Sequence, residues 1–161
     1  MNWDQTSHEE RIEFLRETPL FRRLAHGELS HLAFEANRGT AEPGTPLTRI
    51  GERGRYLYFI ESGTVSISWH DQQEPVLLPA RTGAMVGWSA LVEPFTYTAN
   101  TIAVDTCDLQ RIGAGALLRI FDQRQDVGYE VMTAVAAIAR ERFSAAVDQL
   151  SASWTRAALI P

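Results

Sequence analysis

The sequence contains no lysine and a single cysteine, and each shortage excludes a class of protein. All 15 basic residues are arginines, which are scattered along the 161 residues without a cluster, and the formal net charge is -5. A nucleic-acid surface needs concentrated positive charge, so we expect no direct nucleic-acid binding. Cys107 cannot form an internal disulfide or a cysteine-rich metal site alone, and its strand-like surroundings predict a buried, unreactive side chain.

Histidine is also scarce, which argues against a metal enzyme. A small β-barrel metal enzyme of the cupin type needs several histidines and a carboxylate that converge inside the barrel. Three of the four histidines lie outside or before the predicted strands; the four are His8, His26, His31 and His70. The sequence also lacks a glycine-framed nucleophilic serine, a phosphate loop and paired carboxylates with a shared cleft. We therefore expect no metal, no cofactor and no enzymatic activity.

Long apolar runs and a secretory leader are absent as well. No run approaches the roughly 18 apolar residues of a membrane span, and the N-terminus is polar and acidic. A hydrophobic content of 45% in 161 residues predicts one globular domain that occupies the whole chain, 1–161. We expect a soluble, cytoplasmic protein without membrane contact.

Both ends of the chain have the pattern of helices. A hydroxyl residue, Thr6 or Ser7, precedes a pair of glutamates and is typical of a helix start. Apolar residues at helical spacing then predict two or three short helices over about 7–36. At the other end, a glycine-rich stretch after 112 indicates the return of helix, over about 114–150.

Between these helical ends, the chain has the pattern of short strands. Turn residues recur about every ten positions, and they separate segments such as YLYFI (56–60) and TVSISW (64–69). In the second segment Val65, Ile67 and Trp69 alternate with polar residues. Regular short strands of this kind predict an antiparallel β-sandwich or β-roll over about 37–112.

The last predicted helix carries two adjacent apolar stripes. One stripe consists of Met132, Ala136, Ala139, Phe143, Ala146 and Leu150, and the other of Val131, Val135 and Ile138. Two stripes exceed what packing against a single surface needs. We therefore predict that one stripe packs on the β-roll and the other on a second copy of the chain, which makes the protein a homodimer. The alternative is one broad face that packs entirely on the core.

Several short motifs in this order resemble a known family. They are Thr18-Pro19-Leu20-Phe21-x-x-Leu24, Gly44, Tyr56 to Val65 (YLYFIESGTV), Gly83, Gly87 and Ser89-Ala90-Leu91. Together they resemble the bacterial-type cyclic nucleotide-binding domain of the catabolite activator (Crp/Fnr) family, from about Leu15 to Leu150. The resemblance implies a mainly β fold, with an antiparallel, jelly-roll-like β-roll, short N-terminal helices and a long C-terminal helix.

The resemblance also implies a phosphate-binding cassette, and this cassette has lost both of its charged anchors. In the family, a glutamate just after a glycine holds the ribose hydroxyl, and an arginine nine residues later pairs with the cyclic phosphate. Alignment on Gly87 puts Trp88 and Tyr97 at these two positions. The rest of the expected ligand-binding segment keeps the family pattern and comprises Ser89, Ala90, Leu91, Thr98 and Ala99. Because an arginine–phosphate pair contributes a few kcal/mol, we do not expect cAMP or cGMP to bind in the usual way.

The same alignment places Arg142 and Phe143 on the part of the C-terminal helix that faces the nucleotide base. A guanidinium there can enter the pocket from the helix side and attract an anionic ligand. The alternative for Arg142 is a solvated or salt-bridged side chain next to Glu141. Trp88 has two interpretations of equal weight: it fills the pocket mouth, or it stacks on a ligand.

These features favour a regulatory module over an enzyme. Transcription regulators of the family carry a helix-turn-helix domain after the long helix, whereas SASWTRAALIP (151–161) is too short to form one, so we expect no DNA-binding domain. The leading hypothesis is a stand-alone homodimeric sensor of an unidentified small molecule that signals through an unknown protein partner. The alternatives are a ligand-free dimeric scaffold, a cupin-like metal enzyme, and a haem sensor that uses a histidine or Cys107 as axial ligand.

Overall fold

The computed structural model describes residues 2–4, 7–18, 20–69, 76–79 and 84–157. The predictions that involve Thr6, Pro19, His70 and Gly83 lie outside these ranges. The described elements are β1 (Asn2–Asp4), α1 (His8–Glu17), α2 (His26–Glu35), β2 (Ala36–Ala41), β3 (Pro46–Thr48), β4 (Tyr56–Ile60), β5 (Thr64–Ser68), β6 (Val76–Pro79), β7 (Met85–Val86), a 3₁₀ helix (Trp88–Leu91), β8 (Asn100–Ala103), β9 (Cys107–Gly113), α3 (Ala114–Gln123) and α4 (Gln125–Ala157).

The N-terminal helices begin at a cap that the sequence predicts. The Ser7 hydroxyl accepts a hydrogen bond from the Glu10 amide at 3.3 Å, and the Glu10 carboxylate accepts one from the Ser7 amide at 2.9 Å. The two residues therefore form a capping box, which satisfies amides that the first helical turn leaves unpaired. α2 leads directly into β2 at Ala36, so the helical pair is joined to the sheet without a connecting loop.

Two antiparallel sheets form the β-roll. The strand order is β1-β2-β9-β4-β7 in one sheet and β3-β8-β5-β6 in the other. Along β4, Leu57 and Phe59 belong to the core beneath the helices, whereas Tyr58 and Ile60 belong to the core between the sheets. This alternation places the five-stranded sheet between the roll interior and the helices. The predicted antiparallel β-roll with flanking helices is confirmed.

The long helix α4 extends further than the sequence pattern predicts. It runs from Gln125 to Ala157 and passes the expected end near 150, because the chain contains no glycine or proline between 151 and 157. Val131 and Val135 are buried in the core beneath the helices, and Ile138 packs against that core. The predicted stripe of Val131, Val135 and Ile138 therefore packs on the rest of the chain. No helix in the described ranges is both long and apolar enough to cross a bilayer.

The second stripe of α4 is more exposed. Ala136 is exposed and the Phe143 side chain is 72% exposed, whereas Met132 and Ala139 are half-buried. Met132 also packs against the core, so the two stripes are not fully separate. The side chains of Ala146 and Leu150 lie outside the part of the chain that the structure describes.

Candidate functional site

The cassette begins at a glycine that no other residue can replace without strain. Gly87 has φ +83°, in the left-handed region, and a Cβ atom built on it would lie 2.8 Å from the carbonyl oxygen of Tyr56. Gly87 is followed by the 3₁₀ helix, in which the Ala90 amide donates to the Gly87 carbonyl at 3.0 Å. Ala90 and Leu91 are buried in the core beneath the helices. Their side chains therefore attach the cassette to this core, and they are not among the residues that line the pocket.

Tyr97, at the position of the family arginine, is committed to the protein backbone. Its side chain is 6% exposed, and its hydroxyl donates to the Tyr56 carbonyl at 2.9 Å. The same hydroxyl accepts from the amides of Tyr56 at 3.0 Å and Arg55 at 3.2 Å. Burial raises the pKa of the hydroxyl, so it stays neutral at physiological pH. Tyr97 therefore stabilises the start of β4 and offers only its ring to the pocket.

A pocket lies between the roll, the cassette and α4. The space between these elements, counted together with its open mouth, is about 440 Å³. Six of the predicted cassette residues line it: Gly87, Trp88, Ser89, Tyr97, Thr98 and Ala99. Trp88 is half-buried and also packs against the core beneath the helices. Both aromatic side chains therefore line the pocket.

Arg142 lines the same pocket from α4. One of its terminal nitrogens, Nη2, donates to the carbonyl oxygen of Met85 at 3.0 Å, and this bond connects the long helix to β7. Its neighbours Arg140 and Glu141 are exposed. Phe143, which the alignment places beside Arg142, is not among the lining residues and projects largely into solvent.

Several residues of the roll that line the pocket were not predicted from the sequence. Thr48 and Thr101 are almost fully buried, and their hydroxyl oxygens lie 2.9 Å apart. The Thr48 hydroxyl also lies 2.9 Å from the Ala99 carbonyl oxygen, which gives the pocket a polar floor. Ile67 and Trp69 line another part. These residues meet because β3 and β5 both pair with β8, and local alternation does not reveal that pairing.

The three histidines that the structure describes are not among the residues that line this pocket. His8 bonds to Ser30 between the two N-terminal helices, and His26 and His31 belong to α2. In the ranges that the structure describes, no group of three or more histidine, cysteine or acidic side chains is placed to hold a metal. Cys107 is fully buried, as predicted, and burial raises the pKa of its thiol.

The glycine-initiated cassette, the β-roll and the helix beside its pocket define a class of ligand-binding domain. The family model for the cyclic nucleotide-binding domain matches residues 38–124, and the chain therefore belongs to this family. The matched segment contains every described strand from β3 to β9, the cassette and α3. The resemblance inferred from the sequence is confirmed.

Curated relatives of the chain include two fungal regulatory proteins. The cAMP-dependent protein kinase regulatory subunit of Debaryomyces hansenii is 27% identical over 115 residues, which are 71% of this chain and 25% of the relative. The corresponding subunit of Colletotrichum orbiculare is 28% identical over 108 residues, which are 67% of this chain and 27% of the relative. The matched part of the chain thus spans about a quarter of the length of these relatives.

Solved structures support the fold. A protein from Geobacter metallireducens named as cyclic nucleotide-binding aligns with a TM-score of 0.74 and 22% identity, over 86% of this chain and 99% of that one. The sensor domain of the transcriptional regulator DNR from Pseudomonas aeruginosa aligns with a TM-score of 0.65 and 20% identity, over 78% of this chain and 91% of that one. In these relatives the domain is part of regulatory or sensor proteins.

Proposed function

We propose that this chain is a cytoplasmic, non-enzymatic sensor module that binds a small molecule other than cAMP or cGMP between the roll, the cassette and α4. The observation that carries the proposal is the state of the cassette: a 3₁₀ helix starts at a left-handed glycine, and both charged anchors of the family pattern are replaced. Gly87 keeps the left-handed conformation that starts the 3₁₀ helix. Trp88 and Tyr97 stand where the family pattern has a carboxylate and a guanidinium.

The replaced anchors disfavour a cyclic nucleotide on energetic grounds. The Tyr97 hydroxyl already has three backbone partners, and tyrosine carries no positive charge to offer a phosphate. Trp88 has no acceptor for ribose hydroxyls. Loss of a charge-assisted arginine–phosphate contact of about 3 kcal/mol corresponds to an affinity about a hundredfold lower. A ligand that lacks ribose and phosphate groups does not incur this loss.

Occupation of the pocket is transmitted by α4 in this proposal. Arg142 belongs both to the helix and to the pocket wall, and its bond to the Met85 carbonyl connects α4 to the roll. A ligand that contacts Arg142 more favourably in one helix position than in another shifts the population of α4 positions. A partner protein then reads the position of the helix.

The exposed side of α4 supports a homodimer. Phe143 is 72% exposed and Val147 41% exposed, and Ala136, one heptad before Phe143, is exposed as well. Small and apolar residues at heptad spacing permit two helices to pack closely. The proposed dimer places two copies of α4 together, so a change in one pocket reaches the other chain.

Calorimetric titration with cAMP and cGMP tests the proposed function. We expect no binding in the micromolar range for either nucleotide, while a family member that keeps both anchors serves as the positive control. A micromolar dissociation constant for this chain would show that other groups have replaced the anchors and would overturn the proposal.

A further inference from the structure

Among the described residues that line the pocket, the formal charge lies on α4. Arg142 is the one formally charged residue among those described as lining the pocket, and it reaches the pocket from the helix. The cassette side carries the indole of Trp88 and the ring of Tyr97 instead. In the family pattern the charged anchors belong to the cassette. In this chain the described charged residue of the pocket belongs to α4 instead.

Part of the remaining wall is apolar, opposite the polar floor of Thr48 and Thr101. Met85 and Val86 line it from β7, and Ile67 lines it from β5. The Tyr97 hydroxyl points to the backbone of Tyr56, so the ring alone faces a ligand. This apolar part of the wall favours a hydrocarbon body, because hydroxyl groups placed against it lose hydrogen bonds to water without replacement.

Two amides of the cassette are paired within it. The Ala90 amide donates to the Gly87 carbonyl at 3.0 Å, and the Thr98 amide donates to the Ser89 hydroxyl at 3.3 Å. Arg142 also has partners within the protein, among them the Met85 carbonyl oxygen. A guanidinium has a fork of five N–H donors, so a carboxylate can bind beside these partners. The anionic end of a ligand is therefore bound best at Arg142.

We propose that the ligand is a hydrophobic monocarboxylate, with its carboxylate against Arg142 and its hydrocarbon body against Trp88 and Tyr97. This inference rests on the proposed function, because it names the ligand class of the same pocket. The carboxylate contacts α4 directly in this orientation. Ligand binding therefore acts on α4 directly and does not require the glutamate and the arginine that this cassette lacks.

Paired acids and amides test this orientation on the unaltered protein. The probes are phenylacetate, phenylpropionate and octanoate, each with its neutral amide, titrated by calorimetry and by tryptophan fluorescence, since Trp69 and Trp88 line the pocket. We expect at least one acid to bind and its amide to bind about tenfold more weakly or worse, as charge-assisted hydrogen bonds predict. Acids that do not bind, or bind no more tightly than their amides, overturn the inference.

A pair of arginine variants locates the carboxylate. Arg142→Gln should weaken acid binding by about tenfold to a hundredfold, whereas Arg140→Gln, at an exposed neighbouring position, should leave it unchanged. Circular dichroism of both variants checks the fold. Equal acid binding by the unaltered protein and the Arg142 variant contradicts the inference.

Failure of this inference is distinguishable from failure of the proposed function. Native mass spectrometry of the protein purified from its own source reports any retained small molecule. A retained molecule that is neither a carboxylate nor a cyclic nucleotide overturns the ligand class and leaves the proposed function standing. If no probe binds and no molecule is retained, both fail, and the ligand-free dimeric scaffold becomes the better account.

Discussion

At Tyr97 the ring and the hydroxyl have separate roles. The ring lines the ligand pocket, and the hydroxyl holds the backbone of Arg55 and Tyr56 at the start of β4. Sequence comparison reveals the missing arginine at this position, but it cannot reveal the new backbone contacts, because they depend on how β4 lies against the cassette. Tyr97 therefore has a structural role at the position where the family pattern has a ligand-binding arginine.

Removal of the Tyr97 hydroxyl should destabilise the fold. Tyr97→Phe leaves the Tyr56 carbonyl and nearby amides without a partner, which should lower the free energy of unfolding by about 2 kcal/mol. Tyr129→Phe is the matched control, since Tyr129 is 72% exposed. Urea denaturation measures both variants. Equal stability of the two variants would contradict the role assigned to the hydroxyl.

Tyr58 gives the fold a dependence on alkaline pH. Burial raises the pKa of Tyr58 to about 12 and outweighs the opposing effect of Arg111, whereas an exposed tyrosine ionises near pH 10 (about 10 in model peptides). Between these pH values the unfolded chain has lost the proton and the folded chain has kept it. The free energy of unfolding therefore falls as pH rises, by at most about 1.4 kcal/mol per pH unit from this group.

The variant Tyr58→Phe should make that alkaline decline shallower. Tyr97, whose pKa burial also raises, retains part of the slope. Urea denaturation at a series of pH values above neutrality measures the slope, with Tyr129→Phe as the exposed control. An identical slope in the unaltered protein and the Tyr58 variant would refute the assignment.

Among the elements, those with strong local patterns were predictable and those that depend on distant partners were not. β4 and β5 have the bounds that the apolar segments indicate, 56–60 and within 64–69. β1 was not predicted, because three residues carry too little pattern. It forms by pairing with β2, and Trp3 in it stacks on the guanidinium of Arg111, whose carbon lies 3.8 Å from the ring centroid.

The proposed binding site depends on the backbone geometry at the start of the cassette. Gly87→Ala should destabilise the protein by about 1–3 kcal/mol, because a Cβ atom would enter the left-handed region and approach the Tyr56 carbonyl oxygen. Gly27→Ala in α2, where a Cβ meets no atom within 4 Å, should be neutral or stabilising. Thermal denaturation compares the stability of the two variants. If the Gly87 variant is as stable as the Gly27 variant, a side chain at position 87 causes no backbone strain.

At the scale of the whole molecule, the family and the position of the cassette were readable from sequence, whereas the shape of the pocket was not. Motif order locates Gly87, Trp88 and Tyr97, and the alignment with the family pattern places Arg142 on the helix that faces them. The polar floor of Thr48 and Thr101 arises from pairing between β3 and β8. That pairing joins residues about fifty positions apart in the chain, which local patterns do not specify.

The proposed dimer can be tested with two exposed phenylalanines. Phe143→Asp places a charge on the exposed side of α4 and should weaken self-association by about tenfold or more, since burial of a phenylalanine contributes about 2 kcal/mol. Phe34→Asp is the matched control, because Phe34 is 70% exposed on α2. Light scattering after size-exclusion chromatography measures the mass. We expect both variants to keep the fold. If the Phe143→Asp variant forms the dimer as well as the unaltered protein does, the exposed side of α4 is not the dimer interface.

The most direct measurement of the central claim is native mass spectrometry of the intact protein from its own source. We expect a dimer that carries, in each chain, a bound small molecule whose mass differs from those of cAMP and cGMP. The Arg142→Gln protein from the same source should lose that molecule. A mass that corresponds to bound cyclic nucleotide, or to protein without any ligand, would contradict the account.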